Sequence, residues 1–364
     1  MVQLEELSIE LTNECNLACI HCSSGSVPKR MPGELTYAKH VELVQDAREL
    51  GATVLSLSGG NPLLYAELVP LVTLALGIGY ERVLIYTTGH SCTGHAARST
   101  SRRTISKTET PELIPLFGRG VTWIFSLHSH LPEVNDMLMG TPGALEDIKT
   151  SIRFLTSIGE RVELHCVPMK PNWKHLRGVR ELAGELGVSK VAFLRFVPQT
   201  RGKLNSDKLL YSREDFRDMQ IMLNEMSAES GVQIRMGCPI DFRHTITDMG
   251  GKVRYCHAGD DLILVRPTGA VHPCAAWKSL PTDSNVKDSS LQDIWENSDI
   301  FKAIREFKAG GYKEVQNGCN TCGFLDSCMS GCPAQRLHHI GTASMDALKS
   351  SHGDPMCPKG GSNE

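Results

Sequence analysis

Long apolar runs are missing from this chain. The longest, Leu68 to Tyr80, is too short to span a bilayer and contains Pro70 and two glycines, so no membrane-crossing helix is expected. A basic N-terminal region followed by an apolar stretch is also missing. No signal peptide is read, and the protein is expected in the cytoplasm. Neither charge is in excess: 38 Lys and Arg stand against 41 Asp and Glu, a net charge of −3. That balance gives no global reason to expect nucleic acid or a membrane surface as a partner. Internal repeats and low-complexity tails are absent as well. What remains is a 364-residue chain, 41% hydrophobic and 22% charged. It has the composition of a globular protein and the length for one large α/β domain with a smaller second one.

Cysteine, by contrast, is abundant. Thirteen of them need a reason, and disulfides are a poor one, because the count is odd and the expected compartment is reducing. Cys15, Cys19 and Cys22 stand at the spacing C-x3-C-x2-C, directly after the strand-like alternation of Leu7, Ile9 and Leu11. A second group runs Cys256, twelve residues, Gly269, four residues, Cys274, then Cys319-x2-Cys322-x5-Cys328-x3-Cys332, then Cys357. Such spacings favour metal or cluster ligation, with zinc the alternative, and the better reading for a lone C-x2-C. Three thiolates from one short loop can hold three irons of a cubane [4Fe–4S] cluster and leave the fourth iron open to a ligand. Four would close the cluster and favour plain electron transfer.

Up to residue 196 the chain alternates short apolar runs with helical stretches. Strands are expected at Leu4–Thr12, Thr53–Leu57, Arg82–Thr87, Val121–Leu127, Arg161–Val167 and Lys190–Phe196, with helices around 37–50, 64–78, 111–118, 143–157 and 173–187. Six βα units imply a parallel sheet wrapped by helices, too few to close an eight-stranded barrel, hence an open partial barrel. His90 to Thr110, basic and poor in apolar residues, reads as a substrate-facing lid or a solvated loop. Pro198 to Ser212 reads as a linker and 213–229 as a helix. Eight of the thirteen cysteines lie at or beyond Cys238, which marks a second domain. The expected division is 1–200 for the partial barrel, 201–237 for a linker and bridging helix, and 238–364 for the cysteine-rich domain. Within the last, Leu262–Pro273 reads as a β-hairpin and Leu291–Phe307 as one amphipathic helix of core-packing type.

The run Leu11-Thr12-Asn13-Glu14-Cys15-Asn16-Leu17-Ala18-Cys19-Ile20-His21-Cys22 closely resembles the signature of radical S-adenosylmethionine (radical SAM) enzymes. The resemblance implies a (β/α)6 partial barrel and a [4Fe–4S] cluster on Cys15, Cys19 and Cys22 whose open iron chelates SAM. Ser58-Gly59-Gly60-Asn61-Pro62 resembles the family's GGEP motif, which receives the SAM amino group, with Asn61 in place of Glu. An amide can accept a hydrogen bond but carries no charge, so part of that contact is lost or supplied elsewhere. The two glycines would let backbone approach a ligand closely. Ser126 matches a position that relatives place near the SAM ribose or carboxylate, and His21 one that packs near the adenine. His128 and His130 read as a surface pair, Cys166 as a core residue, and Cys92 matches no motif.

The seven downstream cysteines look like the complete pattern of the SPASM domain, an extension of radical SAM enzymes that mostly modify peptides and proteins. Carried over by motif position, Cys319, Cys322, Cys328 and Cys357 would hold an outer auxiliary [4Fe–4S] cluster. Cys256, Cys274 and Cys332 would supply three ligands of an inner one. Cys238 either completes the inner cluster or stays unligated. The chemistry so implied needs three [4Fe–4S] clusters, SAM and an electron donor such as flavodoxin or ferredoxin. A 5′-deoxyadenosyl radical abstracts hydrogen from a precursor peptide, giving an oxidative crosslink or a related modification. A small-molecule cofactor or natural-product precursor is the alternative substrate. Anaerobic sulfatase maturases carry Asp after the cysteine corresponding to Cys274. Ala275 stands there in this chain, which argues against that activity. The cluster motif begins within fifteen residues of Met1, so a leader peptide is expected to need a separate binding protein or the core itself. A non-catalytic iron–sulfur or zinc scaffold is the non-enzyme alternative.

Overall fold

Alternation along Glu6–Thr12 puts Leu7, Ile9 and Leu11 on one face of a strand and Glu6, Ser8 and Glu10 on the other. In the computed structural model, which describes residues 3–92, 102–237, 256–316, 318–323, 325–350 and 353–357, this segment is strand β1. The strands that follow are β2 (Val54–Gly59), β3 (Arg82–Thr87), β4 (His90–Cys92), β5 (Arg102–Thr104) and β6 (Thr122–Ser126). After them come β7 (Arg161–Cys166), β8 (Lys190–Phe193), β9 (Gln233–Met236), β10 (Leu262–Val265) and β11 (Val271–His272). Nine form one sheet in the order β11-β10-β1-β2-β3-β6-β7-β8-β9, parallel throughout except that β11 runs antiparallel to β10. β4 and β5 make a separate antiparallel ribbon.

The six expected strands are the six consecutive central ones, and the sheet is an open partial barrel whose end strands do not pair with each other. Its helix-facing side is apolar: Leu7, Ile9, Leu55, Leu57, Val83, Ile85, Trp123, Phe125 and Leu164 join Leu43, Leu71, Ile148 and Val179 of the surrounding helices in one buried core. The inner side holds only a small apolar cluster of Val54, Leu84 and Ile124 beside Tyr86. That polarity suits a cavity at the C-terminal strand ends, where such folds gather chemistry.

Several expectations change. Residues 111–116 form a 3-10 turn rather than an α-helix, because Pro115 inside the segment removes a backbone donor. A helix at Pro132–Met139 was not expected. The Leu291–Phe307 stretch is two helices, Leu291–Asn297 and Asp299–Ala309, broken where Ser298 adopts an extended conformation. The presumed linker holds two short helices, Thr200–Leu204 and Ser206–Leu209. The hairpin β10–β11 pairs with β1 itself, so the segment after residue 256 extends the barrel sheet. In the 90–110 segment the described part is the β4–β5 ribbon; residues 93–101 lie outside the described residues, as does Cys238. Among the described residues no helix is long and apolar enough to cross a membrane.

Candidate active site

The cysteine loop leaves β1 at its C-terminal end and is held from three sides. Cys15 N donates to Val27 O at 2.8 Å and Val27 N to Asn13 O at 3.0 Å, so the returning chain pairs with the loop. From β2, Gly60 N donates to Thr12 O at 2.7 Å and Asn61 N to Glu14 O at 2.8 Å. A Cβ on Gly60 would sit 1.9 Å from Glu14 O, and one on Gly59, at φ +132°, 2.4 Å from Thr12 O. The glycines are therefore required by the close approach of the chain to itself, rather than only by a ligand. From the third side, the presumed linker folds back over the loop. Arg201 Nε donates to Cys19 O at 2.7 Å and its Nη2 to Ser26 O at 3.2 Å. Thr200 Oγ1 donates to Cys22 O at 2.7 Å and Asn205 Nδ2 to Ile20 O at 3.1 Å. Sequence reasoning missed this clamp, and nothing local in residues 198–212 signals it.

Asn61 is wholly buried and turned inward. Its Nδ2 donates to His90 O at 2.5 Å and to Asn16 Oδ1 at 3.3 Å. Its Oδ1 accepts from Thr87 Oγ1 at 3.0 Å and from Leu63 N at 3.3 Å, capping the turn that Pro62 starts. The amide thus ties β3, the β4 ribbon and the cysteine loop together. Ser126 ends β6 half-buried and makes no side-chain hydrogen bond among the described residues.

His21 Nδ1 donates to Leu138 O at 3.2 Å, and its ring stands edge-on to His128 at 4.4 Å. Burial, which outweighs the bond to Leu138, pushes its pKa down to about 4. His128 is buried rather than on the surface: its Nδ1 accepts from Val167 N at 3.2 Å, and burial, then His21, holds it well below the usual range. Both rings are neutral at pH 7. His130, half-buried, faces His175 across 6.1 Å. Cys166 is buried within β7.

Burial, opposed only weakly by nearby backbone N–H groups and Arg201, pushes the Cys15 thiol up to about 11. Burial, reinforced by Cys15 and Cys22, drives Cys19 well above the usual value. At Cys22 burial also raises the pKa, but the Ser26 backbone and hydroxyl, Arg201 and Lys278 outweigh it and the net shift is downward. The three thiols interact with one another electrostatically. Downstream, Cys256, Cys274 and Cys332 form one interacting set and Cys319, Cys322, Cys328 and Cys357 another. Burial pushes Cys332 and Cys328 each up to about 12. Arg336, buried, lies near Cys319, Cys328 and Cys332, and Arg195 near Cys332. Among the described residues no three His, Cys, Asp or Glu side chains converge on a single-ion site.

The Radical SAM superfamily model matches residues 9–183, and an iron–sulfur cluster-binding domain model, SPASM, matches residues 256–323. The chain carries a radical SAM domain followed by a SPASM domain, the make-up of SPASM-bearing radical SAM enzymes. SAM and a [4Fe–4S] cluster belong to that class, and SPASM domains bind iron–sulfur clusters. Among curated relatives, the AdoMet-dependent heme synthase of Methanosarcina barkeri is 26% identical, covering 90% of this chain and 90% of its own. The PqqA peptide cyclase of Gluconobacter oxydans is 26% identical over 96% of this chain and 89% of its own. Among solved structures, SuiB of Streptococcus suis bound to precursor peptide SuiA shares the fold at TM-score 0.73 and 18% identity, covering 98% of this chain and 76% of its own.

The donor chemistry fits the cofactor of that class. Thiols gathered in sets, with the Cys15, Cys19, Cys274, Cys328 and Cys332 thiolates disfavoured by burial, become good ligands when a cluster's irons supply the missing positive charge.

Proposed function

We propose that the chain is a radical SAM oxidoreductase acting on a ribosomally made precursor peptide to install an oxidative crosslink or a related modification. The observation that carries this reading is three mutually interacting thiols, Cys15 buried and Cys19 and Cys22 half-buried, in the loop that leaves the C-terminal end of β1. In this reading Cys15, Cys19 and Cys22 hold the SAM-binding cluster. Cys319, Cys322, Cys328 and Cys357 hold an outer auxiliary cluster, and Cys256, Cys274 and Cys332 an inner one, with Cys238 the candidate for its fourth ligand. When bound, the first cluster supplies the electron that splits SAM and so generates the hydrogen-abstracting radical.

The chain's own residues bind, orient and exclude water. Arg201 and Thr200 fix the carbonyls of Cys19 and Cys22 and so fix the loop. The Gly59–Gly60 backbone sets the loop's height above β2. Ser126, with a hydroxyl free of other partners among the described residues, is the side chain available to SAM at the end of β6. Asn61, fully engaged, supports the loop instead of a ligand. His21 and His128 present an edge-on pair of neutral rings beside the cluster loop, suited to packing and hydrogen bonding rather than to charge. The auxiliary clusters would accept the electron left on the substrate, with flavodoxin or ferredoxin as the external donor and a separate protein presenting the leader peptide.

Peptide as substrate is supported by the PqqA peptide cyclase. The heme synthase, equally identical, supports a second reading, oxidation of a tetrapyrrole-like small molecule. Ala275, whose carbonyl accepts from Gln199 Nε2 at 3.0 Å, offers no base at the sulfatase-maturase position. The test is anaerobic reconstitution followed by SAM and dithionite. 5′-Deoxyadenosine and about twelve irons per chain are expected, and a peptide encoded beside this chain should lose two mass units on treatment. Iron bound without SAM cleavage would refute the enzyme; cleavage with mass loss only from a tetrapyrrole would favour the second reading.

A further inference from the structure

Glu10 is the one acidic side chain that β1 turns inward at its C-terminal end, and it is fully buried. Lys278 Nζ lies 2.6 Å from its Oε1, and Arg266 Nε lies 2.8 Å from its Oε2. Ser24 Oγ donates to the same carboxylate at 2.7 Å. Burial would raise the Glu10 pKa, but Lys278, Arg266 and Ser24 outweigh it and hold the group ionised. One anion and two cations leave this buried cluster with a surplus of one positive charge.

Its position is what matters. Lys278 Nζ also donates to Ser24 Oγ at 2.9 Å and Ser23 Oγ at 3.3 Å, the residues directly after Cys22. Arg266 Nη2 donates to Ser24 O at 3.1 Å. In the chain, Lys278 ends the 3-10 turn that begins at Cys274. A single ammonium group, 9% exposed, therefore touches the first cysteine loop while its backbone belongs to the second. One positive charge thus stands against the residues that follow Cys22 and four residues along the chain from Cys274.

We propose that Lys278 and Glu10 are a shared electrostatic control that sets the reduction potentials of the SAM-binding and inner auxiliary clusters together. The inference rests on the cluster assignment above. Reduction adds a negative charge to each cluster, and a fixed buried cation close to both stabilises the reduced forms. Glu10 opposes that effect and also keeps the two cations paired. Neither residue touches a reacting atom; both act through the clusters. Arg336 and Asp354 act on the outer auxiliary set and on Cys332 alike, whereas the hydrogen bonds of Lys278 and Glu10 run to the first cysteine loop, which makes the outer cluster an internal reference.

The test is an EPR-monitored redox titration, without SAM, of anaerobically reconstituted full-length protein as wild type, Lys278→Met, Lys278→Arg, Glu10→Gln and the Lys278→Met/Glu10→Gln double variant. Lys278→Met is expected to lower the potentials of both the first and the inner clusters by a tenfold or greater change in the reduction equilibrium, 59 mV for one electron. Glu10→Gln is expected to raise both. The double variant should return toward wild type, Lys278→Arg should stay near it, and the outer cluster should not move. Shifts of one sign in both single variants, equal shifts in all three clusters, or no shift at all would overturn the proposal. Failure of the cluster assignment is read separately, as wild-type protein that takes up no iron on Cys15, Cys19 and Cys22.

Discussion

Asn61→Glu restores the residue that the motif has in relatives, and this structure predicts that the change harms the protein. The site is sealed, with Asn61 0% exposed. Its amide donates to His90 O at 2.5 Å, a bond that an ionised glutamate cannot make. A buried carbonyl left without its donor costs about 1–3 kcal/mol, and an extra methylene in a filled site costs about 1–3 kcal/mol more. The sum, about 2–6 kcal/mol, is a large part of the ~5–15 kcal/mol that holds a typical domain folded. The new carboxylate would also meet the His90 carbonyl, and the partners Asn61 has among the described residues, Asn16, Leu63 N, Thr87 and His90 O, include no cation. Urea unfolding of metal-free protein should show a clearly lower midpoint for Asn61→Glu, and calorimetric titration of reconstituted protein should show SAM binding no tighter than wild type. If the variant is as stable as wild type and binds SAM more tightly, the carboxylate reaches the ligand, and the inward-facing role argued for Asn61 is wrong.

Gly60→Ala forces its Cβ to within 1.9 Å of Glu14 O, so the cysteine loop must move. The variant should lose the first cluster's EPR signal after reconstitution while keeping the auxiliary signals, and retention of all signals would contradict the packing. Asp354 accepts from Arg195 Nη1 and Nη2 at 2.7 and 2.5 Å, and from Cys332 N and Met356 N, both at 2.9 Å. Asp354→Ala strands a buried arginine and should cost about 3–5 kcal/mol by chemical denaturation, with Arg195→Met recovering part of it in the double variant. Burial, with lesser contributions from neighbouring cations, pushes His40 and His272 down to about 4 and His165 down to about 3, below the free value of about 6.5. The unfolded chain therefore takes up these protons first as pH falls. Stability should be complete above about pH 6.5 and drop by about 1.4 kcal/mol per pH unit for each histidine toward its folded value. Urea midpoints that stay flat between pH 7 and 5 would contradict that burial.

What the sequence shows clearly is what is written locally. The alternation of Leu7, Ile9 and Leu11 and the C-x3-C-x2-C spacing both lie within a few residues, and the strand and loop stand where those patterns put them. Ser126 likewise ends its strand as its position implies. What stayed hidden depends on distant chain segments. Arg201 lies about 180 residues from the carbonyls it clamps, and the pairing of β10 with β1 joins residues more than 250 apart. In Gln233–Met236 the alternation of Ile234 and Met236 with Gln233 and Arg235 is only four residues long, and edge strand β9 gains its conformation from pairing with β8. The inward turn of Asn61 could have been suspected from one signal alone: an amide that replaces a charged ligand often does so because its neighbours demand both a donor and an acceptor.

The most direct test of the account is the EPR spectrum of anaerobically reconstituted, dithionite-reduced protein, recorded with and without SAM. SAM should change the signal of one [4Fe–4S] cluster, and that signal should vanish in the Cys15→Ala/Cys19→Ala/Cys22→Ala variant while the auxiliary signals persist. A wild-type spectrum that SAM leaves unchanged, or a SAM response that survives loss of those three cysteines, would contradict an open iron at the head of β1.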